Sequence, residues 1–213
     1  MTGRIEPRRI GQLHVLTDAR GGRAALAAVS AAVSAGAPVV QVRAKNCSDR
    51  VLHDFARAVM EICRPYGTTC LVNDRVDVAL AVGAAGTHLG ADDLPVAAVR
   101  RVAGPDHLIG GTARDPQRAR ELVAEGVDYL GVGPAYSTTT KSGLPDPLGP
   151  ARIGAVASAV PVPVIAIGGV TADRVAALMA AGASGIAVVA AVSGAADPAE
   201  ATRQLLRALD GTP

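Results

Sequence analysis

The sequence predicts a single α/β domain over residues 1–213, a (β/α)8 TIM barrel in which eight parallel strands are ringed by helices. Three observations carry that expectation. Eight short apolar runs recur at intervals of about 25 residues, the length of a strand, a helix and two short connections. The segments between them show helical periodicity, and no hairpin turn signal joins consecutive runs. The competing architecture, a doubly wound open sheet, has fewer repeats and a glycine-rich turn after its first strand. "TDARGG" (17–22) is a poor version of that turn.

The first run, "LHVLTDA" (13–19), follows a basic segment at 1–11 that is expected to be flexible or peripheral. In the second, "PVVQVRAK" (38–45), Val40, Val42 and Ala44 alternate with Gln41, Arg43 and Lys45. A period of two sends the apolar set toward the helices and the polar set into the barrel. Cations are costly to bury unpaired. A ligand anion at the barrel mouth or a carboxylate across the barrel compensates them, and the alternation leaves both open. In the next segment Leu52, Phe55, Ala56, Val59, Met60 and Cys63 share one helical face, with Ser48 or Asp49 as the cap.

The third and fourth runs, "TCLVND" (69–74) and "GTHLG" (86–90), end in Asn73-Asp74 and, just beyond Gly90, in Asp92-Asp93. Neighbouring strands lie ~4.8 Å apart, which places Asp74 and Asp93 to share one ion. Carboxylates without a His or Cys cluster suit a hard cation such as Mg2+, which keeps waters and bridges to phosphate. Helix capping is the competing role, since Asp74 precedes "RVDVALAV" and Asp93 precedes Leu94-Pro95. Together with Arg43 and Lys45 at the same mouth, the pair favours a metal-bound polyphosphate.

The fifth and sixth runs are "LIGGTA" (108–113) and "YLGVGPAY" (129–136), the latter leading into "STTTKSG" (137–143). The seventh, "PVIAIGG" (163–169), ends in Gly168-Gly169 before a helix that opens near Thr171, and the eighth is "GIAVVAAV" (185–192). Backbone N–H groups after strands seven and eight commonly bind a phosphate in this fold. The mouth therefore has two anion sites of different kinds. The cationic, metal-assisted one suits a diphosphate, and the neutral one around Gly169 suits a monophosphate. That pairing points to a group transfer with diphosphate leaving. His14 and His88 face the interior without a partnering carboxylate and are expected to be satisfied core histidines, while His53 and His107 are expected at the periphery.

The totals bound the partners. A net charge of +2 is too small to indicate nucleic acid or an anionic membrane. One Phe and no Trp provide no stacking platform for single strands. No run approaches the ~20 apolar residues of a membrane span, and no apolar signal core follows the N-terminus. Cys47, Cys63 and Cys70 lack metal spacing, which suggests plain thiols in a reducing cytoplasm. Small phosphorylated molecules are the expected partners, and a homodimer is left open.

Five motifs then stand in register: "VVQVRAK", "LVNDRVDVALAVGAAGTHLGADDLP", "YLGVGPAYSTTTKSG", "PVIAIGGV" and "GIAVVAAV". On these the chain resembles the thiamine-phosphate synthase family over nearly the whole barrel. That family joins 4-amino-2-methyl-5-hydroxymethylpyrimidine diphosphate to hydroxyethylthiazole phosphate, or its carboxylated form, giving thiamine monophosphate and pyrophosphate. The resemblance implies that Gln41, Arg43, Lys45, Asn73, Thr112 and Lys141 hold the pyrimidine diphosphate, with Arg43, Lys45 and Lys141 as catalytic residues. It implies Asp74 and Asp93 as Mg2+ ligands. It assigns the thiazole phosphate to Thr138, Thr139, Thr140, Gly168, Gly169, Val189 and Ala190. Two departures stand out: "GTAR" (111–114) stands where the family has a variable residue followed by Ser-Thr-His, and Ala190 stands where Ser is common. Competing functions on the same barrel are a thiazole tautomerase, a sugar-phosphate isomerase or epimerase, and a non-catalytic barrel that binds thiamine precursors.

Overall fold

Eight parallel strands close on themselves in sequence order, each hydrogen-bonded to the next and the last to the first. The computed structural model describes residues 10–17, 22–44, 46–138, 140, 143 and 145–212. The strands are β1 Leu13–Leu16, β2 Val39–Val42, β3 Thr69–Asn73, β4 Gly86–Leu89, β5 Leu108–Ala113, β6 Tyr129–Val132, β7 Val164–Ile167 and β8 Gly185–Val188. The helices are α1 Gly22–Ser34, α2 Asp49–Cys63, α3 Val76–Val82, α4 Val96–Ala103, α5 Pro116–Glu125, α6 Gly149–Ala157, α7 Ala172–Ala180, α8 Ala190–Ser193 and α9 Pro198–Asp210. The open sheet is thereby excluded. All eight expected runs contain a strand, but several strands stop earlier than their apolar runs, because the chain leaves the sheet to build the mouth. The last helical stretch is divided, with the short α8 inserted before α9.

The alternation in β2 sorts as expected. Val40 and Val42, with Ala44, pack in one cluster with Leu52, Phe55, Ala56 and Val59 of α2. Val39 belongs instead to the barrel interior, beside Leu16, Leu71, Leu108, Tyr129, Ile165 and Ala187. A parallel sheet buried on both faces is stabilised mainly by removing such side chains from water, about 25 cal/mol per Å2. Ser48 caps α2 through its hydroxyl, which accepts from Val51 N at 3.4 Å. Glycines in the left-handed region, Gly83 after α3 and Gly126 after α5, end helices and turn the chain promptly into the next strand.

His107 departs from expectation. It is buried just before β5, and its Nε2 lies 2.8 Å from the Thr87 hydroxyl. It was expected at the periphery, whereas the short α4–β5 connection tucks it against Thr87 of β4. Among the described residues, no helix is long and apolar enough to cross a membrane.

Candidate active site

The polar residues gather at the C-terminal ends of the strands, the end where this fold carries its sites. Thr17, just past β1, is buried, and its hydroxyl both accepts from Arg43 N at 2.7 Å and donates to Arg43 O at 3.0 Å. That double bond pins the exit of β2 and so fixes where the partly buried Arg43 side chain begins. No carboxylate among the described residues pairs with Arg43, so the cross-barrel ion pair left open by the alternation is not seen there. Lys45, Thr139 and Lys141 lie outside the described residues.

The ends of β3 and β4 are tied together. Asn73 pairs with His88 in the strand register, and the next N–H, that of Asp74, donates to the His88 carbonyl at 2.8 Å. Asp74 takes the left-handed conformation, φ 65°, which is uncommon for a residue with a side chain, although Asp and Asn tolerate it best. Such a conformation costs of order 1 kcal/mol and is found where structure over-determines it, often at functional sites. Asp93 folds back so that its Oδ2 accepts from Gly90 N at 2.6 Å, closing the turn after β4. Capping does not account for either carboxylate's position. The N-cap of α3 is Arg75 and that of α4 is Pro95, neither with a side-chain cap bond. Arg75 is clamped by exposed carboxylates, with Nη1 2.6 Å from Asp49 and Nη2 2.6 Å from Asp77, which steadies the Asp74 turn.

This donor set can be tested against a cation. Among the described residues, no group of three or more His, Cys, Asp or Glu side chains gathers to form an all-protein cage. Two carboxylates from adjacent strand ends fit Mg2+, which is commonly held by one or two carboxylates, several waters and substrate phosphate.

Beneath the mouth lies a polar cluster. His88 bridges two hydroxyls, with Nδ1 3.0 Å from Tyr129 Oη and Nε2 3.0 Å from Thr112 Oγ1. The buried side chain of Gln41 adjoins the Tyr129 phenol. Burial pushes the Tyr129 phenol well above its ordinary pKa, and the polar side chain of Gln41 nearby opposes this only in part. Burial pulls His88 down to about 4 against a weaker opposing pull from Asp93. Burial, with His88 nearby, pulls His14 down to about 3, its bond to the Gly11 carbonyl opposing. Both imidazoles are therefore neutral near pH 7. The contact between His88 and Tyr129 crosses β5 at Gly110, where an added Cβ would overlap the Tyr129 ring and come within 2.5 Å of His88 Nδ1. Gly131 likewise faces His88, whose Cε1 would be 2.9 Å from an added Cβ.

The opposite rim is built from backbone. Gly168 and Gly169 both have positive φ, 98° and 62°. A Cβ on Gly169 would come within 2.5 Å of Ser137 O, and one on Gly168 within 2.7 Å of Pro134 Cα. These glycines allow the chain after β7 to press against the loop after β6. There Thr138 Oγ1 accepts from Thr140 N at 3.2 Å and donates to Thr140 Oγ1 at 3.1 Å, so the two described threonines of the run form one hydroxyl-rich turn. Arg174 holds the junction: its Nη1 donates to Gly169 O, and its guanidinium lies 4.6 Å from the Tyr136 ring centroid. Val189 is the N-cap of α8 and Ala190 its first residue, both just past β8, the strand paired with β7. At the departure in β5, Arg114 Nη2 donates to Asp146 O at 2.8 Å, strapping the β6–α6 loop, while its buried Nη1 has no hydrogen-bond partner.

The structure thus brings Gln41 and Thr112 together around one His–Tyr pair, Asn73 and Asp74 to the turn of Asp93, and Ser137, the residue before Thr138, against Gly169. Thr17, His88, Tyr129 and Arg174 were not foreseen as parts of the mouth. The glycines Gly110 and Gly131 inside strands were the available signal for the His88–Tyr129 contact.

Known proteins align with this arrangement. The sequence model of the family described as thiamine monophosphate synthase matches residues 13–192. A thiamine-phosphate synthase of Salinispora tropica is 58% identical over 203 residues, covering 94% of this chain and 98% of its own. One from Moorella thermoacetica is 41% identical over 191 residues, covering 90% and 91%. Among solved structures, a thiamine phosphate pyrophosphorylase from Pyrococcus furiosus superposes with a TM-score of 0.86 at 34% identity, covering 93% of this chain and 95% of that one. A 3-hexulose-6-phosphate synthase, at 18% identity and TM-score 0.69, shares the fold alone.

Proposed function

The chain belongs to the thiamine monophosphate synthase family, transferases of thiamine biosynthesis, and from that premise we propose how its own residues divide the reaction between two anion sites. The pyrimidine diphosphate lies over β2 to β5, held by Gln41, Arg43, Lys45, Asn73 and Thr112, with Lys141 as a further contact. The thiazole phosphate lies against the Thr138–Thr140 turn, Gly168, Gly169 and the N–H groups around Val189 and Ala190. Asp74 and Asp93 would hold Mg2+, which supplies a Lewis acid to the diphosphate oxygens when bound.

The chemistry proposed is substitution with early departure of the leaving group. The bond between the pyrimidine methylene carbon and the diphosphate oxygen breaks, and its electron pair leaves on the oxygen. The pyrimidine amino group stabilises the resulting cation, and the thiazole nitrogen supplies the pair for the new carbon–nitrogen bond. Charge develops on the departing diphosphate, so fixed cations placed there in advance lower the barrier most. Arg43, Lys45 and Lys141 have that task. The phosphate rim has a different one, holding the thiazole nitrogen in line.

The observation that carries this reading is the union of the two carboxylate-bearing strand ends, tied by Asp74 N to His88 O, on one rim with Arg43. The tautomerase alternative needs a free acid–base group, whereas both ring nitrogens of His88 are engaged. A cytoplasmic location is supported by Cys63 and Cys70, buried as free thiols. The test is stoichiometric: pyrophosphate and thiamine monophosphate should form in equal amounts, and neither should form when the thiazole phosphate is omitted.

A further inference from the structure

We propose that His88, held by Tyr129, is a positioning residue that turns the hydroxyl proton of Thr112 into the mouth of the barrel. The inference rests on the placement of the diphosphate beside Thr112 given above, and it adds a direction to every hydrogen bond in the cluster.

The phenol of Tyr129 has one hydrogen to give, and the acceptor 3.0 Å away is His88 Nδ1. A neutral imidazole that accepts at Nδ1 carries its own hydrogen on Nε2. Nε2 lies 3.0 Å from Thr112 Oγ1 and donates to it. Thr112 has thus received a hydrogen, and its own O–H is free for a group in the mouth. The chain of donors runs Tyr129, His88, Thr112, ligand.

The reverse chain has Thr112 donating to Nε2 and Nδ1–H donating to Tyr129, which leaves the phenol hydrogen without its acceptor on His88. It would turn the lone pairs of Thr112 toward the mouth, where they repel the oxygens of a diphosphate. Only the forward sense offers an anion a donor. The site is built for the contact, since β5 and β6 place glycine at Gly110 and Gly131, where a side chain would displace the His88 ring.

Ring-nitrogen NMR on 15N-histidine-labelled protein, free of substrates, reads the tautomer directly. His88 should show its hydrogen on Nε2, and the hydrogen on Nδ1 would overturn the proposal. Tyr129→Phe fills the same space but removes the donor to Nδ1, and it should shift His88 toward a mixture of tautomers; an unchanged spectrum would count against Tyr129 as the holder. A double-mutant cycle tests whether His88 acts through Thr112. His88→Leu should lower kcat/KM for the pyrimidine diphosphate about tenfold in the parent chain, and by about twofold or less beside Thr112→Val, the remainder a non-interacting pair leaves. Thr112→Ser keeps the hydroxyl and should preserve the full His88 effect. An equal loss in both backgrounds would show His88 acting on its own and end the positioning role. A folded chain with the Nε2 tautomer but no turnover of the substrate pair would instead refute the functional reading, leaving the hydroxyl's direction standing.

Discussion

Arg174 Nη1 donates to the carbonyl oxygen of Gly169 at 2.6 Å, joining helix α7 to the glycine turn after β7. The same guanidinium covers the Tyr136 ring, so one side chain fixes both the β7 turn and the start of the β6 loop. A hydrogen bond from a charged donor contributes about 1.5–3 kcal/mol, and a cation–π contact about 0.5–1 kcal/mol at exposed sites. Arg174→Ala should therefore lower stability by about 1–3 kcal/mol, measured by denaturant midpoint. It should raise KM for the thiazole phosphate more than KM for the pyrimidine diphosphate. Arg174→Lys should recover charge but not the planar contact, and so restore only part of the affinity.

Gly110→Ala tests the gap in β5. The added methyl would overlap the Tyr129 ring and crowd His88 Nδ1, and both neighbours are packed inside the barrel. Overpacking of this kind costs about 1–3 kcal/mol. A lowered melting temperature together with displaced His88 ring signals is expected. A variant as stable as the parent, with an unmoved ring, would mean that the barrel has more slack than these contacts indicate.

His14 makes stability depend on pH. Its folded-state pKa is about 3 against an ordinary 6.5, chiefly through burial. The groups facing it are the His88 imidazole, the Tyr129 ring and the Gly11 carbonyl. Because the folded pKa is depressed, the unfolded chain binds the proton more readily between those values. The stability is whole above the unfolded pKa and is lost as pH falls through the window. His14 contributes a slope of about 1.4 kcal/mol per pH unit there. His14→Leu should flatten the dependence of unfolding free energy on pH between about pH 6 and pH 5 by that amount, whatever its constant offset.

Much of this was legible in the sequence, and for physical reasons. A period of two in "VVQVRAK" separates the faces of one strand without any tertiary information, which is why Val40 and Val42 fell on the helix side and Gln41 inside. Glycine pairs that end strands announce close approach, and Gly168-Gly169 do touch the β6 loop. The contact of His88 with Thr112 and Tyr129 was hidden, because it joins three strands through the stagger of a closed barrel. Sequence spacing carries no trace of that stagger, and the intervening Gly110 reads as an ordinary strand glycine. Arg174 was hidden for a related reason, since it lies on the polar face of an amphipathic helix and its partner is a backbone oxygen. His107 misled because its partner, the Thr87 hydroxyl that burial requires, lies on another strand and leaves no trace beside it in sequence.

The central claim is that two anion sites of different character serve two substrates, and a pair of variants separates them. Asp74→Asn suits the test because Asn also accepts a positive φ, so the turn survives while a charge is lost. Thr138→Val removes one hydroxyl from the opposite rim and keeps the shape. The measurement is KM for each substrate, at a fixed saturating level of the other and over a range of Mg2+. The account predicts that Asp74→Asn raises the Mg2+ requirement and KM for the pyrimidine diphosphate about tenfold, a change of about 1.4 kcal/mol, with little effect on the thiazole phosphate. Thr138→Val should do the reverse, sparing the pyrimidine diphosphate and the Mg2+ requirement. Equal rises in both constants for either variant would contradict it, since a single shared site would then explain the mouth as well as two.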